Sequence, residues 1–305
     1  MFISPDGELN RIPFAALSAP SAAGLLLGEA FQLRLLTTGR ELLTLSNQSP
    51  SKWKQSLVIA NPTFSHKEPL SVATSTQAVS TLRNDESAGQ QRAGEIKNLN
   101  WDSLPGTARE GAAISSLLRA NLLEKGYATA TSIQQAGAPR LIHIASHGFV
   151  LSDHDQGRTS DSPLLRSGIV LAGANQPDQD PQDDGYLTAL EITQLNWRGT
   201  ELVTLSSCQS GWSLIQAGEG VYGLKRAIAV AGARSSLLSF WLVDDTATAT
   251  FMQRFYERLK TGEGRAEALT AVQAEFRQHS NPLWRHPYVW AAFQLSGDWR
   301  PITGL

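Results

Sequence analysis

His147 stands in Ser146-His147-Gly148, directly after the apolar run Arg140–Ala145. Cys208 stands in Ser206-Ser207-Cys208-Gln209-Ser210-Gly211, directly after Glu201–Leu205, and it is the chain's single cysteine. If both runs are strands of a doubly wound sheet, each side chain sits just past a carboxyl end, where such sheets bind ligands. Were those strands neighbours, His147 and Cys208 would face one cleft. An imidazole beside a thiol takes its proton and leaves a thiolate, the nucleophilic form. The glycine after the histidine lets a substrate carbonyl approach the backbone, and the N–H groups of Gly148 and Cys208 would form an oxyanion hole. The residues alone leave a second reading open: a free cysteine is usually a small buried hydrophobe.

Other spacings point to other chemistry and fit it less well. His143 and His147 are four apart, as on a zinc-binding helix, but they fall on and after a strand and lack that motif's adjacent Glu. Gly218-Glu219-Gly220-Val221-Tyr222-Gly223 has the dinucleotide fingerprint, with Asp244 at about the expected distance beyond. The preceding strand ends near Leu205, too far upstream for the tight turn that motif requires. Asp180–Glu191 nearly matches a calcium loop through Asp184, Gly185 and Glu191. Gln182 sits where Asp or Asn is wanted, and Pro177 and Pro181 oppose a helix leading in. No metal or cofactor is expected. Trp241 and Trp290 fall in apolar runs and read first as core.

The elements that must position these residues follow from hydropathy. Ser56–Ala60, Arg140–Ala145, Ile169–Ala172, Glu201–Leu205 and Ser235–Val243 read as strands buried on both faces, with Tyr288–Leu295 as a last strand. Helical patterns cover Thr107–Ala120, Leu187–Leu195, Gly220–Ala231 ending at a Gly232 cap, Asp244–Lys260 and Arg265–His279. Alternating strands and helices predict an α/β protein, its mostly parallel sheet covered by helices on both faces. Phe64–Pro105 reads as a long polar loop, and Ser152–Pro163 and Ala174–Gly185 as acidic loops. Ser206, Trp241, Asp244 and Asp245, near strand ends, are candidate substrate-pocket residues. The two aspartates suit the first turn of a helix equally well.

At 41% hydrophobic and 18% charged, 305 residues suffice for a full core and do not describe a disordered chain. A formal charge of −2, without a Lys/Arg run, gives no electrostatic reason to expect nucleic acid. One cysteine excludes an internal disulfide and a cysteine-based zinc cage. Met1–Gly7 has no basic region followed by an apolar stretch, and the apolar runs fall short of a membrane span. A cytoplasmic chain with no membrane partner is expected.

Ser146-His147-Gly148 after one apolar strand, and Leu205–Gly211 after another, resemble the CHAT domain family of caspase-like cysteine peptidases, often joined to tetratricopeptide repeats. The resemblance continues, in order, through Pro5–Leu9 with Ile12–Leu17, Leu104–Glu110, Gly185–Ile192, Gly218–Ala233, Phe240–Thr248 and His286–Phe293. It implies a caspase-like three-layer sandwich over residues 1–305, with 1–125 as an N-terminal lobe and 126–305 as the catalytic core. It also implies a protein or peptide substrate, His147 as general base, Cys208 as nucleophile, and Gly148 and Cys208 as oxyanion donors. The chain has Ser146 where the family usually has Thr. It has Ser207-Cys208-Gln209-Ser210-Gly211 where the family has Ala-Cys-Glu-Thr-Gly. Both differences leave the dyad intact, while Gln209 alters its surroundings. Metacaspase relatives that cut after basic residues carry Asp two positions before the cysteine; Ser206 stands there, so no basic preference is inferred from it. A tetratricopeptide array would be a separate regulatory partner or a missing N-terminal region. The rival reading is a non-catalytic module of the same fold that uses the cleft to bind a protein partner.

Overall fold

The apolar runs of the sequence pair with one another because each offers side chains to both faces, leaving the backbone another strand as its natural partner. The computed structural model describes residues 1–20, 24–46, 54–65, 99–150, 163–180, 183–206, 208–209, 214–241 and 243–305. Its strands are β1 (Phe2–Ile3), β2 (Arg34–Leu35), β3 (Leu57–Pro62), β4 (Asn121–Lys125), β5 (Leu141–Ala145), β6 (His147–Val150), β7 (Ser167–Val170), β8 (Tyr186–Thr188), β9 (Leu202–Leu205), β10 (Cys208–Gln209), β11 (Ser235–Ser239) and β12 (Phe293–Gly297). Its α-helices are α1 (Leu27–Ala30), α2 (Glu41–Ser46), α3 (Pro105–Leu118), α4 (Ala130–Ala136), α5 (Ala189–Gln194), α6 (Leu214–Ala231), α7 (Asp245–Lys260), α8 (Arg265–Arg277) and α9 (Pro287–Trp290).

Eight strands form one sheet in the order β1-β2-β12-β11-β9-β5-β3-β4. Every pairing in it is parallel except β11 with β12. Strands from residues 1–125 therefore lie at both edges of a centre built from later residues. Side chains alternate between two cores. Val58, Leu141, Leu202 and Leu237 pack with α3, α7 and α8 on one face. Leu57, Ile59, Ile142, Ile144, Val203, Leu205 and Leu238 pack with α4, α5 and α6 on the other. Each such buried Leu, Ile or Val contributes roughly 1.5–3 kcal/mol of transfer free energy. The result is the expected three-layer sandwich. Among the described residues, no helix is long and apolar enough to cross a membrane.

Three local expectations change, and one strand appears where none was expected. The run read as strand Ile169–Ala172 forms β7, which lies outside the main sheet, in a second sheet of order β10-β6-β7-β8. A doubly buried run does not state which sheet buries it. Leu187–Leu195 divides into β8 and α5 where Thr188 and Glu191 close a capping box. Tyr288–Leu295 is also divided. Pro287 at a helix start, with His286 accepting the Tyr288 N–H, winds α9, and only from Phe293 does the chain extend into β12. Finally, Asn121–Lys125 forms the half-exposed edge strand β4, too short and too charged to announce itself. Gly232 ends α6 as expected, at φ 101°. Most of the polar stretches 64–105 and 152–163 lies outside the described residues.

Candidate active site

Strands β5 and β9 are hydrogen-bonded neighbours, from Leu141 opposite Leu202 to Ile144 opposite Leu205. Past their carboxyl ends both chains leave the main sheet and pair again, as β6 and β10. The parallel register of that second pairing sets Cys208 opposite His147 and Gln209 opposite Gly148. Ser146 Oγ, at the crossing point, donates to the Val170 carbonyl of β7 and ties the two sheets together. Ser206, at the equivalent point of the other chain, is buried, and its N–H continues the main-sheet ladder to the Ile144 carbonyl at 3.1 Å.

The His147 side chain is only 4% exposed. Its ring lies between Phe64 and Trp101, each with its centroid 5.2 Å away, tilted 36° and 38°. Nε2 lies 2.9 Å from the Asp102 carbonyl oxygen. A carbonyl can only accept, so Nε2 carries the proton, and in the neutral ring Nδ1 holds the lone pair. Sequence reasoning missed Phe64, Trp101 and Asp102, which close the long polar stretch at its two ends. The signal available was an aromatic residue at each end of an otherwise polar run. Trp101 is held firmly. Its N–H donates to Asn175 Oδ1 at 2.8 Å and its carbonyl accepts from Asn175 Nδ2 at 3.0 Å. Its indole donates to the Tyr186 hydroxyl at 2.8 Å.

The other candidates follow β11, which runs parallel to β9, and so lie at the same carboxyl end of the main sheet. Trp241 follows β11, stacks on Phe240 and Tyr288, and donates its Nε1–H to the Tyr288 carbonyl at 2.6 Å. Asp244 is the N-cap of α7, accepting the Ala247 N–H at 3.0 Å. Asp245, in the first turn of α7, packs its side chain against Gly106 at the start of α3. Burial, then the charges of Asp244 and Glu110, push the Asp245 carboxyl above its ordinary value, against the pull of His147. His143 sits deeper, on β5. Its Nε2 lies 3.1 Å from Glu110 Oε1, and its Nδ1 lies 3.2 Å from the Tyr256 hydroxyl. Tyr256 in turn donates to Thr204 Oγ1 at 2.8 Å. Burial holds the Tyr256 hydroxyl well above the usual tyrosine range.

The competing motifs have structural roles. Gly218–Gly223 lies wholly inside α6, with no strand-to-helix turn. In the calcium-like stretch, Asp183 accepts the Thr131 N–H, Asp184 accepts the Tyr186 N–H, and Glu191 belongs to the capping box. Among the described residues, no group of three or more His, Cys, Asp or Glu is gathered in a way that could hold a metal ion.

The CHAT domain profile matches residues 1–298. The human Tetratricopeptide repeat protein 28 is 28% identical over 318 residues. That match takes in 96% of this chain but only 12% of the human protein. In the Saccharomyces cerevisiae separase–securin complex, one chain superposes with a TM-score of 0.50 at 13% identity, covering 97% of this chain and 15% of that one. The Arg-specific cysteine proteinase gingipain R gives a TM-score of 0.46 at 11% identity, over 88% of this chain and 55% of that one. At 13% identity the likeness to the separase chain is one of fold, the caspase-like α/β sandwich. With a profile match that runs almost end to end, this chain belongs to the CHAT domain family.

Proposed function

We propose that the chain is a cysteine endopeptidase with Cys208 as nucleophile and His147 as base. The observation that carries this reading is the β6–β10 register, in which His147 and Cys208 are opposed on adjacent strands. The Asp102 carbonyl supports it by leaving Nδ1 as the basic nitrogen. In the proposed reaction, imidazole takes the Cys208 proton and the thiolate attacks a peptide carbonyl, forming a C–S bond. The N–H groups of Gly148 and Cys208 would receive the developing oxyanion. Imidazolium then gives its proton to the departing amine as the C–N bond breaks. Water, deprotonated by His147, attacks the acyl-enzyme and releases the acid and the thiolate. Ser206, Trp241, Asp244 and Asp245 line the proposed substrate rim, within the core formed by residues 126–305, with 1–125 as the supporting lobe. The name of the human relative supports a tetratricopeptide-repeat region as the regulatory partner.

The test is cleavage of a peptide and protein library by the unmodified chain, Cys208→Ala and His147→Ala. Both variants are expected to lose cleavage to background. Activity in Cys208→Ala equal to that of the unmodified chain overturns the reading and leaves a non-catalytic module that binds its protein partner through the cleft.

A further inference from the structure

Asp245 does more than a helix start requires. The cap of α7 is already supplied by Asp244. Asp245 instead lays its side chain across a different helix, against Gly106, the second residue of α3. A Cβ on residue 106 would overlap both Cβ and Oδ2 of Asp245, so glycine is what allows the carboxylate to pack this close to α3. Four residues upstream, the Asp102 carbonyl accepts the Nε2–H of His147. The short segment Asp102–Gly106 is thus gripped by a carboxylate at one end and holds the imidazole at the other.

We infer that Asp245 is a positioning residue for His147, fixing the segment Asp102–Gly106 whose carbonyl holds the imidazole. This rests on the peptidase reading for its consequence in catalysis, but not for its geometry. The charged groups around Asp245 are Asp244 beside it, Glu110 on α3 and His147 on β6; His143 faces Glu110 from β5. Of the charged groups acting on Asp245, His147 is the one that favours its negative charge, as an ion pair would. An anion there supports imidazolium, the form that accompanies the thiolate.

The experiment follows the His147 ring by NMR titration in Cys208→Ala, its signal assigned by its loss in His147→Gln. Adding Asp245→Asn keeps the shape of the side chain against Gly106 and removes the charge. The imidazole midpoint is expected to fall by about one pH unit. In the active chain, the alkaline limb of kcat/KM should move to lower pH in Asp245→Asn, because imidazolium is lost earlier. Gly106→Ala keeps the charge but pushes the carboxylate away, and should shift the midpoint in the same direction. It decides the question if Asp245→Asn does not fold. An imidazole midpoint unmoved in both variants overturns the inference. An unmodified chain that cleaves nothing overturns the peptidase reading instead, and leaves the titration to judge Asp245.

Discussion

His147 Nε2 has a backbone carbonyl as its partner, so the tautomer is set by the main chain. What keeps that carbonyl in place is the anchoring of its neighbour Trp101, and Asn175 provides it with two hydrogen bonds, one to each side of the residue. Asn175→Ala deletes both. Neutral hydrogen bonds are worth about 1 kcal/mol each, so unfolding by urea should show a loss of roughly 1–2 kcal/mol. Activity should suffer beyond stability, with kcat/KM falling about tenfold if the histidine loses about 1.4 kcal/mol of transition-state alignment. An unchanged kcat/KM would show that the wall does not orient the base. At this scale the sequence singled out His147 and Cys208, which the β6–β10 register sets opposite one another, and concealed what surrounds the histidine. Ser146-His147-Gly148 and Cys208 are legible because a reactive side chain directly after an apolar strand, with glycine close by, stands where a parallel sheet meets its ligands. Phe64, Trp101 and Asp102 are not, because their contacts with His147 bridge long stretches of polar chain that carry no periodicity.

Helix α6 leads away from the Cys208 segment, and on it Lys225 is 3% exposed. Its Nζ lies 3.4 Å from Asn10 Oδ1, in the turn Gly7–Arg11. Burial lowers the amine's pKa to about 8, opposed in part by the charge of Glu41. The unfolded amine keeps a pKa near 10.5, so between those values the unfolded chain binds more protons and stability rises with pH. Below about 8 the penalty of the buried charge is present in full. Lys225→Met should therefore stabilise the chain at pH 7 by roughly 2 kcal/mol, and its advantage should shrink by about pH 9.5. A pH-independent difference, or a loss of stability at neutral pH, would contradict the burial argument. The helix itself was legible in part. Its end at Gly232 was marked by glycine, but the helix begins at Leu214, six residues before the expected start at Gly220. Strands β5, β9 and β11 were legible as apolar runs. The second sheet was not, because β6, β7, β8 and β10 are two to four residues long and owe their partners to the crossing of β5 and β9 rather than to any pattern of their own.

The whole molecule is closed at the amino ends of its central strands, opposite the candidate site, by an ionic knot that joins distant parts of the chain. Arg265, at the start of α8, is fully buried. It donates to Glu201 Oε2 at 2.5 Å, just before β9, and to the Arg300 carbonyl at 2.7 Å, beyond β12. Asp298 lies 3.6 Å from it. Arg234, before β11, pairs with Glu201 Oε1 at 3.2 Å. Burial works against the Asp298 carboxylate, yet Arg300 and Arg265 hold its pKa below the ordinary value. That stabilisation is present above the usual carboxylate range and is lost as pH falls through it. Removing Glu201 leaves the buried Arg265 charge with Asp298 as its carboxylate, 3.6 Å away. Glu201→Gln should therefore cost about 3–5 kcal/mol in urea or thermal unfolding, with kcat/KM unchanged well below the melting point. Adding Arg265→Met removes that buried charge, so the double variant should be more stable than Glu201→Gln alone. A double variant that is no better than the single would mean that the knot acts through hydrogen bonds to Arg300 and the Glu201 main chain, with charge playing no part in closing the fold.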